Sequence, residues 1–283
     1  MRALGASIEE VFREAAARWT LVAYFGLSTL FILLFATAVN LDIVNGALAG
    51  AKLFGQTVEF GRQSVDIDRL VLGFESGFSG FLFLIGTFLA LFATAHLVPR
   101  LQEKGTIDLY LSRPVGRVPL LLSRYVAGLL LASANILYLI GSLWLIIVWK
   151  THLAHGRFFL AGVSILFTFA TLLAFAFLVG VVTSSTGVSL MATYAIFFLS
   201  AILAAHEKIS AAMSKEWAAK LVEGLYWIFP KTAQLGTATV GLVGGHAAGR
   251  FAQLNLFAVY GSSALFGLAA LTLASWLFSR KDF

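Results

Sequence analysis

Residues able to do chemistry are few in this chain and far apart. His152 and His155 have a spacing that puts two imidazoles on one helical face. Zinc sites need three or four ligands, and no further ligand is near in sequence, so the pair reads as exposed interfacial histidines. Asp66 and Asp68 alternate with Val65, Ile67 and Leu70. Hard cations take several oxygens, and two carboxylates without fixed partners read as a solvated face. The segment from Gly244 to Arg250 faintly imitates a phosphate loop, but it lacks the Lys-Ser/Thr ending and a preceding strand. Gly241 and Gly245 suit either close helix approach or flexibility. There is no Gly-x-Ser-x-Gly elbow, no HExxH zinc motif and no cysteine. Disulfides, thiolate metal sites and thiol redox chemistry are thereby excluded, and the chain reads as carrying no catalytic or metal site.

The most basic stretch is residues 96–126, with Arg100, Lys104, Arg113, Arg117 and Arg124 against Glu103 and Asp108. Long charge-free runs lie on both sides. A short basic segment between two apolar runs reads as a cytoplasmic loop between membrane spans. Its inner part, 106–112, is expected to form a short helix. Gly105 permits the turn before it. Thr106 is a candidate N-cap, and Asp108 sits where a negative charge suits the helix dipole. Arg113 precedes Pro114, which disfavours the α conformation and ends the helix. Pro119 suits the first turn of the next one.

Glu103-Lys104-Gly105-Thr106, then Leu109-Tyr110-Leu111-Ser112-Arg113-Pro114-Val115, then Arg117 and Leu120 to Tyr125 resemble the loop after the second span of type 2 ABC transporter permeases. The ending from Phe278 to Phe283 extends the resemblance. It implies that 100–118 is a coupling loop whose helix docks on a cytoplasmic ATPase subunit. Glu103, Gly105, Thr106, Asp108, Leu109, Tyr110, Leu111, Arg113 and Pro114 would carry the contact. Leu109, Tyr110 and Leu111 would supply apolar surface, and Glu103 and Arg113 polar contacts. Arg117 and Arg124 read instead as headgroup anchors of the third span. The resemblance also implies a second permease copy or a related partner, with ATP and Mg held by the ATPase and no cofactor on this chain.

These residues must be positioned by membrane helices. The chain is 59% hydrophobic and 12% charged, half the charge of a soluble domain, where roughly 25% is usual. Its mean hydropathy is +0.90. The net charge of +6 therefore reads as orientation and anionic-lipid contact rather than nucleic-acid binding. Runs of about 20 apolar residues cross the hydrocarbon core. The sequence predicts an all-α membrane protein, one permease domain over 1–283, with six spans near 19–41, 76–99, 120–149, 158–182, 187–205 and 253–279. Thr183-Ser184-Ser185-Thr186-Gly187 marks a tight turn between the fourth and fifth. Residues 7–18 form an amphipathic interfacial helix or a polar extension of the first span; the amino end lacks signal-peptide character, and the first span is expected to direct insertion. The glycine-rich 42–75 loop is expected outside, with room for a strand or hairpin. Residues 209–229, with Ile209, Met213, Trp217, Leu221, Leu225 and Ile228 at near-helical spacing, read as a helix lying flat on the outer face, with packing on the chain's own spans the plainer alternative.

Six spans put both termini on one side. The twenty Lys and Arg residues divide evenly between the two sides, so their number does not orient the chain. Their concentration in 96–126 does, and it puts the termini in the cytoplasm of an inner-membrane protein. No predicted span has a charged residue in its central part, which argues against an ion-coupled transporter. Asn135 and Tyr138 in the third span, Thr168 and Thr171 in the fourth, and Ser262 and Ser263 in the sixth either line a path or bond between helices. The expectation is an exporter permease driven by a separate ATPase. The alternatives are a non-transport scaffold or assembly component and a secondary transporter.

Overall fold

The computed structural model describes residues 19–44, 47–53, 56–58, 67–103, 116–213, 215–245, 251 and 254–281. The first helix, α1, is Trp19–Ala38. Three short strands follow, β1 (Val39–Val44), β2 (Ala47–Leu53) and β3 (Gln56–Val58), in an antiparallel sheet of that order with a bulge between Asp42 and Ile43. This sheet occupies part of the glycine-rich region, and the other described elements are helices. They are α2 (Ile67–Thr94), α3 (Leu97–Leu101), α4 (Arg117–Thr151) and α5 (Phe158–Thr183). After these come α6 (Thr186–Leu203), α7 (His206–Ala212), α8 (Glu216–Ile228), α9 (Thr232–Gly244) and α10 (Leu256–Arg280).

Among the described residues, five stretches are long and apolar enough to cross a membrane: Asp68–Leu101, Arg117–Thr151, Phe158–Thr183, Thr186–Leu203 and Leu256–Arg280. Within α1 the described apolar stretch is the shorter Val22–Thr37. The chain reverses at Ser184–Ser185. Ser184 takes the left-handed φ of 52°, and the Ser185 side chain accepts from the Val188 amide to cap α6. Serine serves both needs, since its short polar side chain satisfies an orphan helix-start donor.

The centre of the bundle is α5, which packs on α2, α4, α6, α9 and α10. Phe158, Phe169, Leu172 and Phe177 on it are fully buried. Apolar helices gain little from water exclusion inside lipid, so close packing and interhelical hydrogen bonds must hold them. Small residues permit this. A Cβ on Gly267 of α10 would meet Thr171 Cα of α5 at 3.2 Å. Ser164 Oγ lies 2.7 Å from both Thr239 Oγ1 of α9 and Tyr260 Oη of α10. The Tyr125 hydroxyl of α4 donates to the Ala170 carbonyl at 2.9 Å, and Tyr194 of α6 donates to Phe88 O at 3.0 Å while stacking on the Phe88 ring.

The single helix expected over 209–229 is broken in the structure. Two helices, α7 and α8, fold back on each other with His206 and Tyr226 stacked at 3.8 Å. The chain then turns at Pro230 and re-enters the bundle as α9, which packs on α2 and α5. The physical reason is composition: α9 is rich in Gly, Ala and Thr, small enough to fit between larger helices. Gly236 faces Phe83, and Gly80 of α2 faces Val240. Residues 7–18 lie outside the described set.

The glycine contacts make one fold-level prediction. Gly267→Leu must displace backbone, so it should destabilise the chain by about 1–3 kcal/mol. Gly141→Leu, whose Cβ meets open space, should not. Thermal unfolding in detergent compares the two; equal melting temperatures would refute the close crossing of α5 and α10.

Candidate functional site

The basic loop leaves and rejoins the bundle at two fixed points. After α2 the chain turns at Ala95–His96 into α3, whose Leu97, Val98, Pro99 and Leu101 are all buried. Pro99 lies so close to Gly180 of α5 that a Cβ there would be 3.3 Å from Pro99 Cδ. Gln102 then reaches across the end of α5. Its amide nitrogen donates to Gly180 O at 2.9 Å, and its Oε1 accepts from Ser184 Oγ at 3.0 Å. On the other side, Gly116 precedes α4, and Pro119 falls in that helix's first turn.

Lys281, just past α10, closes this end of the molecule. Its ammonium donates to Gln102 Oε1 at 2.6 Å, Val181 O at 2.7 Å and Ser184 Oγ at 2.9 Å. The last carbonyls of α5 are orphan acceptors at the negative end of a helix dipole, which a cation suits. Burial lowers the Lys281 pKa from its ordinary value. Arg117 Nη1 donates to Lys281 O at 2.6 Å and Ser279 O at 3.3 Å. The start of α4, the end of α3, the α5–α6 turn and the tail of α10 are thus tied together. Arg124 is corrected as a headgroup anchor, being only 3% exposed inside the bundle, while Arg117 clamps the residues that end α10. Of the expected docking residues, Glu103 is exposed at the end of α3. Gly105, Thr106, Asp108, Leu109, Tyr110, Leu111, Arg113 and Pro114 lie outside the described residues.

The opposite end holds a second polar tie. His155, in the loop between α4 and α5, lies 2.9 Å from Asp68 Oδ1 by Nε2 and 3.4 Å from Glu75 Oε2 by Nδ1. Glu75 is fully buried. The reading of both histidines as exposed is corrected for His155, while His152 is exposed with a left-handed φ of 58°. Sequence reasoning missed Glu75 because α2 begins at Ile67, well before the charge-free run. Among the described residues no cluster of three metal-ligating side chains has the geometry to hold an ion.

The neutral polar residues separate into two places. Asn135, 1% exposed, accepts from Ser28 Oγ of α1 at 2.9 Å, and the Tyr138 hydroxyl lies 3.0 Å from Thr29 Oγ1. Both therefore sit on the α1–α4 seam. Thr168 and Thr171 of α5 bond back to their own helix, at Ser164 O and Phe167 O. Ser262 and Ser263 also bond within their helix, and Ser263 in addition accepts from the Lys231 amide at 3.1 Å.

Long apolar helices packed into one bundle define a multi-pass membrane protein. The family described as ABC-2 family transporter protein matches residues 12–283. The chain belongs to this family, and it is a membrane permease component of an ABC transporter. No curated protein matches it.

The tie at the basic end is testable without transport. Lys281→Met should speed amide hydrogen exchange at the α5–α6 turn and lower stability by about 1–2 kcal/mol, the net value of a partly exposed charged hydrogen-bond set. Arg280→Met, which removes a cation resting on the Trp276 ring 4.3 Å away, should leave that exchange unchanged. Equal protection in all three proteins would overturn the tie.

Proposed function

We propose that this chain is the permease subunit of an ATP-driven exporter in the cell (inner) membrane, working with a separate ABC ATPase that holds ATP and Mg. Two permease copies, or one and a related chain, pair in the membrane. α1 serves as the first span beside the five long apolar stretches, and both termini are cytoplasmic. The hairpin of α8 and α9 is re-entrant from the outer side.

The observation that carries this reading is the pair of fixed feet under the loop, joined to membership of the family. A loop hung from a buried helix at one foot and from the Arg117 clamp at the other passes a push directly into α4, α5 and α10. Glu103 through Pro114 form the ATPase contact, with Leu109 and Tyr110 as its apolar anchors. Export follows when closure of the ATPase dimer moves this loop and the spans rearrange. Asn135 and Tyr138 face the seam along which a neutral cargo travels, and Thr168 and Thr171 line the neighbouring helix.

Leu109→Ala with Tyr110→Ala should leave the permease folded and inserted but strip its ATPase or uncouple ATP turnover from transport, since truncated interface anchors often cost about 2 kcal/mol or more. Glu216→Ala with Lys220→Ala, an exposed ion pair on α8, should keep the ATPase bound and coupled. Retention on an affinity-tagged permease, read with ATP turnover and transport, decides; normal retention and coupling in the first variant would remove the docking role.

Orientation has its own measurement. A reporter after Phe283 should be cytoplasmic, and a cysteine at Gly61 should react with an impermeant reagent from outside. Labelling of that cysteine only after the membrane is opened would invert the topology.

A further inference from the structure

Asp68 and Glu75 project from one face of α2, about two turns apart. The imidazole of His155 enters between them from the α4–α5 loop, with Nε2 2.9 Å from Asp68 Oδ1 and Nδ1 3.4 Å from Glu75 Oε2. The backbone of His155 is held as well. Its carbonyl accepts from Trp144 Nε1 of α4 at 3.2 Å and from the Phe158 amide that opens α5. Exposure falls along the row: the Asp68 side chain is 54% exposed, that of His155 19% and that of Glu75 0%.

A neutral imidazole has one N–H and one lone pair. Between two ionised carboxylates it must turn the lone pair on one of them. Asp68 is open to water, which solvates its charge. Glu75 is not, and neither of its oxygens makes a hydrogen bond. Among the described residues no Lys or Arg pairs with it. A buried carboxylate without a counter-charge is costly, and one further proton removes the conflict. On His155 that proton makes an imidazolium between two carboxylates; on Glu75 it leaves a neutral acid beside a neutral imidazole. Both forms hold the same number of protons, so the proton belongs to the pair.

The other charged groups at this end are placed elsewhere. Arg69 neighbours Asp68 on α2, and Arg157, just before α5, lies by Gly245. Lys150, at the end of α4, donates to Ala36 O at 2.7 Å, and His152 is exposed. α5 and α9 carry no titratable side chain. Of the remaining helices on α2, α1 carries only Tyr24, toward its far end, and α6 only Tyr194, which bonds at Phe88.

We propose that Asp68, His155 and Glu75 form a proton-binding site that ties α2 to the start of α5: the α4–α5 loop is held on α2 while the site carries its proton and lets go when that proton is lost to water. The proton passes to and from His155 beside Asp68, the exposed member of the row. Proton counts fix the direction. Tied, the His155–Glu75 pair holds one. Released, a solvated imidazole is protonated only below about pH 6.5 and a solvated carboxylate only below about pH 4.3. Between those values the two states hold equal numbers, and acidity does not act on the tie. Above about pH 6.5 the released state holds one fewer, and its ratio to the tied state rises about ten-fold per pH unit. The tie needs neither ATPase nor cargo, so it stands apart from the export reading.

The test uses the full chain in mixed maltoside and dodecyl sulfate micelles, with equilibrium unfolding followed from about pH 5 to about pH 9. Glu75→Gln keeps the shape, removes the charge and serves as the baseline that cancels the other titrating groups. Against it, the parent's folding constant should stay level to about pH 6.5 and then fall about ten-fold per unit. His155→Gln leaves Glu75 to hold the proton alone, so its constant should already be falling at about pH 5. If Glu75→Gln fails to fold, the parent against His155→Gln carries the same distinction. Fluorine NMR in maltoside alone, on chain labelled with 5-fluorotryptophan, gives the local readout, with the Trp144 signal identified by Trp144→Phe. That signal should change above about pH 6.5 in the parent and hold still in Glu75→Gln. A level parent curve, a His155→Gln curve that matches the parent's, or a Trp144 signal that behaves alike in parent and Glu75→Gln would each overturn the proposal.

Discussion

A helix broken against apolar neighbours leaves backbone groups that lipid cannot satisfy, so the protein must supply every partner. The break between α8 and α9 is where this constraint acts most strongly. Pro230 removes one donor by having no N–H. Ser200 of α6 then donates to Pro230 O and accepts from the Thr232 amide. Ser263 of α10 accepts from the Lys231 amide, and the Thr232 hydroxyl donates to Phe197 O. The Lys231 ammonium rests on the faces of Tyr226 and Trp227, 4.5 and 4.1 Å from their centroids, where cation–π attraction replaces part of its lost hydration. Two serines and a threonine thus lock α6, α9 and α10 together, and α9 in turn sits between α2 and α5.

The two polar ties fall at opposite ends of the same helix. Lys281 and Gln102 hold the carbonyl end of α5, and the loop that carries His155 leads into its start. A strut fixed at both ends and packed by small residues along its length has little freedom to bend. Motion between the ends then has to proceed by rigid displacement of α5 or by release of one tie. The partners at the basic end are neutral acceptors for one ammonium, whereas those at the other are carboxylates around an imidazole, so salt and acidity act on the two differently.

Much of this was legible in sequence because it rests on composition. Charge-free runs mark the long helices, the Ser184–Ser185 reversal follows from a short polar cluster, and Pro119 marks the first turn of α4. What escaped depends on distance in space. Glu75 read as loop because the search for spans stopped at the first charge, yet a carboxylate is tolerated within α2 where His155 comes back to meet it. α9 is thirteen residues long, too short to register as a crossing and too poor in large apolar side chains to register as core. Lys281 and Gln102 are separated by most of the chain, and no local pattern announces that they touch. The stretch from Gly105 to Pro114 offers only its order of Gly, Thr and Pro, and it lies outside the described residues.

The lengths of the helices carry a mechanical consequence. α4 has 35 residues and runs about 52 Å at 1.5 Å per residue, whereas a hydrocarbon core is about 30 Å thick. α6, with 18 residues, is only about 27 Å long. Two helices of one bundle so unequal in reach cannot both match a single bilayer thickness. α4 leans or stands proud of the lipid, and it does so as a lever whose short arm begins at the Arg117 clamp. Whatever tilts α4 also moves the Arg117 that ties it to the end of α10.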